Sequence, residues 1–182
     1  MDKNRGGQFR NHKTAGAVVR GLLLALIAMA CTGIASAQDY TVLKFKGGIG
    51  VIPVTGVAAN GTVNLNIVRG VNPAGPWRIA DLDASVKSDG SVRIKGRGLL
   101  LAAGNGIGTN AGANVFATLF CGPANAASAH NSPRVALDAD GDFRIDDVLT
   151  PALPATCDTP VLLIRNGAGS GVWFAAGIPE LK

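Results

Sequence analysis

Three times in this chain an Asn-Gly or Asp-Gly pair is followed by apolar and polar residues in alternation. Asn60-Gly61 precedes Thr62-Val63-Asn64-Leu65-Asn66-Ile67, and Asp89-Gly90 precedes Ser91-Val92-Arg93-Ile94-Lys95. Asp140-Gly141 precedes Asp142-Phe143-Arg144-Ile145-Asp146. A turn pair that tolerates positive φ, joined to a period of two, is the sequence form of a β-hairpin. The alternation predicts that Val63, Leu65 and Ile67 share one face with the asparagines opposite. It likewise buries Val92 and Ile94 while Arg93 and Lys95 point out, and residues 142–146 repeat the arrangement. The preceding strand partners would be 50–57, 79–86 and 134–137.

Further strands are expected over 41–45, 115–120, 161–164 and 172–178, giving about ten short strands in all. Twenty-five glycines and nine prolines suit many turns better than long helices. The best short helical stretch is a single turn over 124–129. Residues 102–113 and 122–133 read as loops. The resemblance of 88–95 to 139–146 is better explained by hairpin chemistry used twice than by a duplicated domain. The expected architecture is all-β: a single-domain β-sandwich over 38–182, immunoglobulin-like or related.

The first 37 residues read as a secretory signal peptide. Lys3, Arg5, Arg10, Lys13 and Arg20 stand against one acid, Asp2. An apolar block follows from Gly21 to Ala30, and Ala35-Ser36-Ala37 supplies a small-residue cleavage site. A retained anchor would need roughly 20 strongly apolar residues, and the second half of this stretch is small and weakly hydrophobic. Lipidation at Cys31 is disfavoured because Ala28-Met29-Ala30 lacks the large aliphatic residue usual upstream. The expected location is therefore secreted or periplasmic, with no membrane span left after cleavage. Residues 1–37 hold five of the 17 Lys and Arg and one of the 12 Asp and Glu, so the remainder carries a net charge of only +1. That balance removes the general case for nucleic-acid binding.

Cys121 and Cys157 remain after cleavage, and an even pair in an exported chain most often forms a disulfide. A metal or catalytic thiol finds no C-x-x-C motif and one remaining histidine, His130.

The motifs that carry chemistry are few. Gly106-Ile107-Gly108-Thr109-Asn110-Ala111 has the loose form of a dinucleotide fingerprint, but a strand-like run follows it where that mechanism needs a helix. Asp138, Asp140 and Asp142 place hard oxygen ligands at alternate positions, a candidate calcium set. The glycine spacing and closing glutamate of a calcium loop are missing, and a hairpin turn accounts for Asp140-Gly141. Arg93, Lys95 and Arg97 line one face of a strand, with Arg144 beside them, as a candidate strip for an anionic polymer. The competing reading is the outward half of an amphipathic strand. A Ser-His arrangement would recruit His130 with Ser128 or Ser132, yet His130 sits in a polar stretch expected to be exposed. A glycosidase would need paired carboxylates such as Asp81, Asp83 or Asp147 across a cleft. Trp173 is expected in the core or at an interface, and Trp77 either caps a loop or faces a ligand. This inventory favours an exported non-enzymatic binding or structural module of the envelope or extracellular space, without cofactor, its partner an envelope polysaccharide or protein. The alternatives are a small secreted hydrolase of a polysaccharide or ester and a calcium-stabilised adhesion domain.

Overall fold

The computed structural model describes residues 40–169 and 171–180, so the signal peptide expected over 1–37 lies outside the described residues. The described chain is all-β. Its strands are β1 Thr41–Gly50, β2 Val54–Val57, β3 Val63–Leu65, β4 Trp77–Arg78, β5 Asp81–Lys87, β6 Ser91–Arg97 and β7 Leu100–Leu101. They continue as β8 Asn114–Cys121, β9 Ser128–Asn131, β10 Val135–Ala136, β11 Phe143–Val148, β12 Val161–Asn166 and β13 Trp173–Pro179. Nine of these form one antiparallel sheet in the order β10-β8-β12-β13-β1-β5-β6-β11, with β9 on the free side of β8. The two ends of that order, β10 and β11, are consecutive in sequence and joined by residues 137–142. The sheet therefore curls until its first and last strands meet at a seam.

Alternation sets which side faces inward. Leu82, Ala84 and Val86 of β5, Val92 and Ile94 of β6, and Phe143 and Ile145 of β11 are buried, while Asp83, Arg93, Lys95, Arg144 and Asp146 point outward. Register is pinned because a slip of one residue would turn the whole apolar set to water. Strands β8 and β12 instead carry apolar runs, buried over residues 117–121 and 162–164. At one end of the core the Trp77 and Phe174 rings stack with centroids 4.1 Å apart. Trp77 is thus a core residue, and neither caps a loop nor faces a ligand. Trp173 is buried as expected, its indole N–H donating to Asn66 O at 3.0 Å.

Three expectations are corrected. The 62–67 alternation does form a hairpin, β2 with β3, but as a separate ribbon with both faces in solvent. Val63, Leu65 and Ile67 are each about half exposed, at 52%, 49% and 55%. Residues 134–137 do not pair with 142–146: β10 pairs with β8 and β11 with β6, because the intervening arm is tied elsewhere. The helical turn over 124–129 is absent; residues 128–131 extend as β9. Since Leu65 is about half exposed and the ribbon joins no other sheet among the described residues, Leu65→Lys is expected to move stability by less than about 0.5 kcal/mol. Urea denaturation checks this, and a loss of several kcal/mol would place Leu65 in the core.

Candidate functional site

The outer face of β5, β6 and β11 carries the predicted cations in a fixed grid. Cross-strand register sets Asp81 opposite Arg97, Asp83 opposite Lys95, Lys95 opposite Arg144, and Arg93 opposite Asp146. Opposite charges answer one another in three of these positions. Arg97 Nη2 reaches Asp81 Oδ2 at 2.8 Å and Arg93 Nε reaches Asp146 Oδ2 at 3.0 Å. Lys46 of β1 pairs with Asp83. Lys95 and Arg144 are like charges placed opposite each other, and Arg144 turns along its own strand to Asp146 Oδ2 at 3.3 Å. The strip is therefore real as a line of residues, but three of its four cations are engaged by aspartates. Lys95 is the member without an ion pair among the described residues.

These pairs shift protonation in a defined direction. The hydrogen bond from Arg93, then that from Arg144, holds the Asp146 carboxyl below its ordinary value of 3.8. The hydrogen bond to Asp83 raises the Lys46 ammonium above 10.5. A depressed carboxylate stabilises the fold above the ordinary value, and that contribution is lost as pH falls through the lower folded value. Asp146→Asn is therefore expected to lower stability at neutral pH and to match the wild type at strongly acidic pH. Parallel melts across pH 2–7 check this; a difference that widens toward acid would contradict it.

At the seam the sheet face becomes concave. Asp81, Asp83, Lys95, Arg97 and Arg144 form one side of a cleft of about 650 Å³, and Ala136, Asp138 and Asp142 close the other. Gly96 and Phe143 also line it, but Phe143 is buried and offers little ring surface. The arm that closes the cleft is held from several directions. Asp138 N–H donates to Asp142 O at 2.9 Å, Leu99 N–H to Gly141 O at 2.9 Å, and Gly98 N–H to Asp142 Oδ1 at 2.9 Å. Asn110 Nδ2 donates to Leu137 O at 3.1 Å and Asp138 O at 2.9 Å. Sequence reading took Asn110 only as part of the fingerprint-like segment and missed its tie to the arm, because it sits in a loop 27 residues away from Leu137.

Three sets named separately from the sequence thus meet here: the cations Lys95, Arg97 and Arg144, the aspartates Asp138 and Asp142, and the aspartates Asp81 and Asp83. Arg93, Asp140 and Asp147 do not line the cleft. Among the described residues no three His, Cys, Asp or Glu side chains converge as a metal-binding group, and one Asp142 oxygen already accepts the Gly98 amide.

His130 is corrected from exposed loop to buried strand, 2% exposed on β9. Its Nδ1 donates to Pro151 O at 2.8 Å, because a carbonyl oxygen only accepts, and its Nε2 lies 2.8 Å from Ser128 Oγ. Ser132 is elsewhere, donating to Pro133 O at 2.8 Å. Neither Ser128 nor His130 lines the seam cleft. Removing this imidazole opens a cavity and takes away two hydrogen bonds, so His130→Ala is expected to cost about 2–4 kcal/mol. Urea denaturation measures it, and a near-neutral result would mean the ring is not packed as described.

Cys121 and Cys157 are bonded, tying the end of β8 to the segment before β12. The residues of the fingerprint-like segment 106–111 lie in the loop before β8, with Ile107 64% exposed. Among the described residues no helix is long and apolar enough to cross a membrane. Compared with known proteins, the chain matches no family model, no curated protein and no solved structure.

Proposed function

We propose that this chain is an exported, non-enzymatic binding module of the cell envelope or extracellular space, an immunoglobulin-like or related sandwich whose seam cleft holds a hydroxyl-rich polysaccharide. One observation carries the reading: four carboxylates and three cations line a single cleft of about 650 Å³. Sugar hydroxyls both donate and accept hydrogen bonds, so walls of mixed sign serve every hydroxyl they meet. A polyanion would face Asp81, Asp83, Asp138 and Asp142, and a polycation would face Lys95, Arg97 and Arg144. With Phe143 buried, recognition rests on hydrogen bonding more than on stacking. Export is supported by the pattern of residues 1–37 and by the Cys121–Cys157 bond, since disulfides persist in oxidising compartments. Lys95, free of an ion pair among the described residues, is the group most available to a ligand.

The same aspartates favour a second reading, a secreted polysaccharide hydrolase, because carboxylates facing each other across a cleft are what glycoside cleavage needs. One experiment separates the two. The protein is screened on immobilised neutral and acidic glycans, and the best ligand is titrated by calorimetry while reducing ends are counted. The binding module binds neutral glycans without releasing ends, and Lys95→Ala weakens binding about tenfold with an unchanged melting temperature. Release of reducing ends, abolished in Asp83→Asn or Asp138→Asn, would establish the hydrolase. Equal binding by wild type and Lys95→Ala, without release of ends, would contradict the binding module.

A further inference from the structure

A second cavity lies where the β13 ladder ends. β13 pairs with β1 from Gly50 back to Phe45, and only the Glu180 N–H, donating to Lys44 O at 2.9 Å, extends the contact. Residues 41–43 of β1 have a strand neighbour only on the β5 side. The space left beside them measures about 750 Å³ and has apolar walls from Val42, Phe45, Pro160, Val161 and Pro179. That volume lies within the range of small-molecule sites. Three charged residues line it, the cations Lys44 and Arg69 and the anion Glu180.

Arg69 is the anomaly. Its Nη2 donates to Thr159 O at 2.8 Å and to Thr159 Oγ1 at 3.3 Å, and Thr159 Oγ1 in turn donates to Gly122 O at 2.7 Å. Arg69 has φ +52° and Thr159 has φ +43°, two of the three non-glycine positive-φ residues among those described. Both line this cavity. Strained backbone persists where surrounding structure holds it, and it gathers at ligand sites. Arg69 Nη1 is the only buried side-chain nitrogen or oxygen among the described residues without a hydrogen-bond partner. The guanidinium sets a full positive charge at the cavity wall, and a carboxylate supplies the opposite charge.

We propose that this cavity binds a monocarboxylic acid with an apolar tail, its carboxylate on Arg69 and its tail along Val42, Pro160 and Val161. One carboxylate balances the lining charge, whereas a phosphate dianion would add a second negative charge beside Glu180. A neutral lipid would fill the apolar part and leave the lining charge of Lys44, Arg69 and Glu180 unbalanced. The site is separate from the seam cleft and does not depend on what binds there.

The test titrates the full chain with decanoate, 1-decanol and acetate by calorimetry. Decanoate is expected to bind saturably at one per chain, 1-decanol at least tenfold more weakly, and acetate not measurably. Arg69→Asn keeps a residue that tolerates the left-handed backbone, and is expected to weaken decanoate at least tenfold while leaving 1-decanol unchanged. Val42→Trp fills the cavity while keeping Arg69 in the sequence, and is expected to abolish both. Equal affinity for decanoate and 1-decanol, unchanged decanoate affinity in Arg69→Asn, or no saturable decanoate binding would each overturn the proposal. Should Arg69→Asn fail to fold, the decanoate and 1-decanol comparison on the unaltered chain still decides it.

Discussion

Gly50→Ala is expected to destabilise the fold by about 3–5 kcal/mol, among the largest effects of any single methyl group added to this chain. Gly50 ends β1 where the backbone of β4 crosses it. A Cβ there would sit 2.7 Å from Arg78 Cα and closer still to the Trp77 carbonyl oxygen. Both neighbours are main chain, so no side chain can swing aside to relieve the contact. β1 and β4 would have to separate, and the Trp77–Phe174 stack and the Val51 O to Trp77 N–H hydrogen bond lie directly in the path. Gly56→Ala is the matched control: nothing stands within 4 Å of its Cβ position, and the ribbon carrying it is exposed. That change is expected to stay within about 0.5 kcal/mol. Urea denaturation followed by tryptophan fluorescence suits the comparison, since both tryptophans, Trp77 and Trp173, are buried. Equal midpoints for the two variants would contradict the close crossing.

Replacing both Cys121 and Cys157 by Ala is expected to cost about 4 kcal/mol, because the bond closes a loop with a sequence separation of 36. For a domain of this size that corresponds to a fall in melting temperature of about 10–16 °C. Most of the effect acts on the unfolded chain, which gains the freedom the cross-link removed. The folded sheet should survive, since Val161↔Phe120 and the five pairs that follow hold β12 to β8 without the sulfurs. Calorimetry of the double variant checks the size. Far-ultraviolet circular dichroism below the transition checks that the strands remain. A variant as stable as the parent would mean that the 122–156 loop is already closed by other contacts.

What the sequence made legible follows from how local each feature is. The β5–β6 hairpin could be read directly, because Asp89-Gly90 sets the turn and the alternation on both sides sets the register. The β2–β3 hairpin was equally readable as a hairpin but not in its burial. Alternation says that a strand has two unlike faces; it does not say that another layer covers either one, and Val63 and Leu65 are uncovered. Asp140-Gly141 promised a third hairpin, and the turn is there. Its flanks part because Gly98, Leu99 and Asn110 hold the arm against other segments, and those contacts span 27 to 44 residues. His130 was misread for the same reason: its polar neighbours in sequence said exposed, whereas Leu119 across the ladder and the Pro151 carbonyl enclose it.

The site shows the same division. The outward placement of Arg93, Lys95 and Arg97 was visible in a single strand, and Cys121 with Cys157 was visible by count. The partners that neutralise the cations were not. Asp81 and Asp146 arrive from neighbouring strands, and only the register decides that they stand opposite Arg97 and Arg93. The convergence of Asp138 and Asp142 on Lys95 depends on the sheet curling until β10 and β11 meet, a property of the whole chain.

Amide chemical-shift mapping of the isotope-labelled protein, titrated with its best neutral glycan, tests most directly that the seam is where ligand binds. Shifts should be largest at Lys95, Gly96, Arg97, Asp138, Asp142 and Arg144, and small across the 54–65 ribbon. Saturating shifts centred on that ribbon, with the six seam residues unmoved, would contradict it.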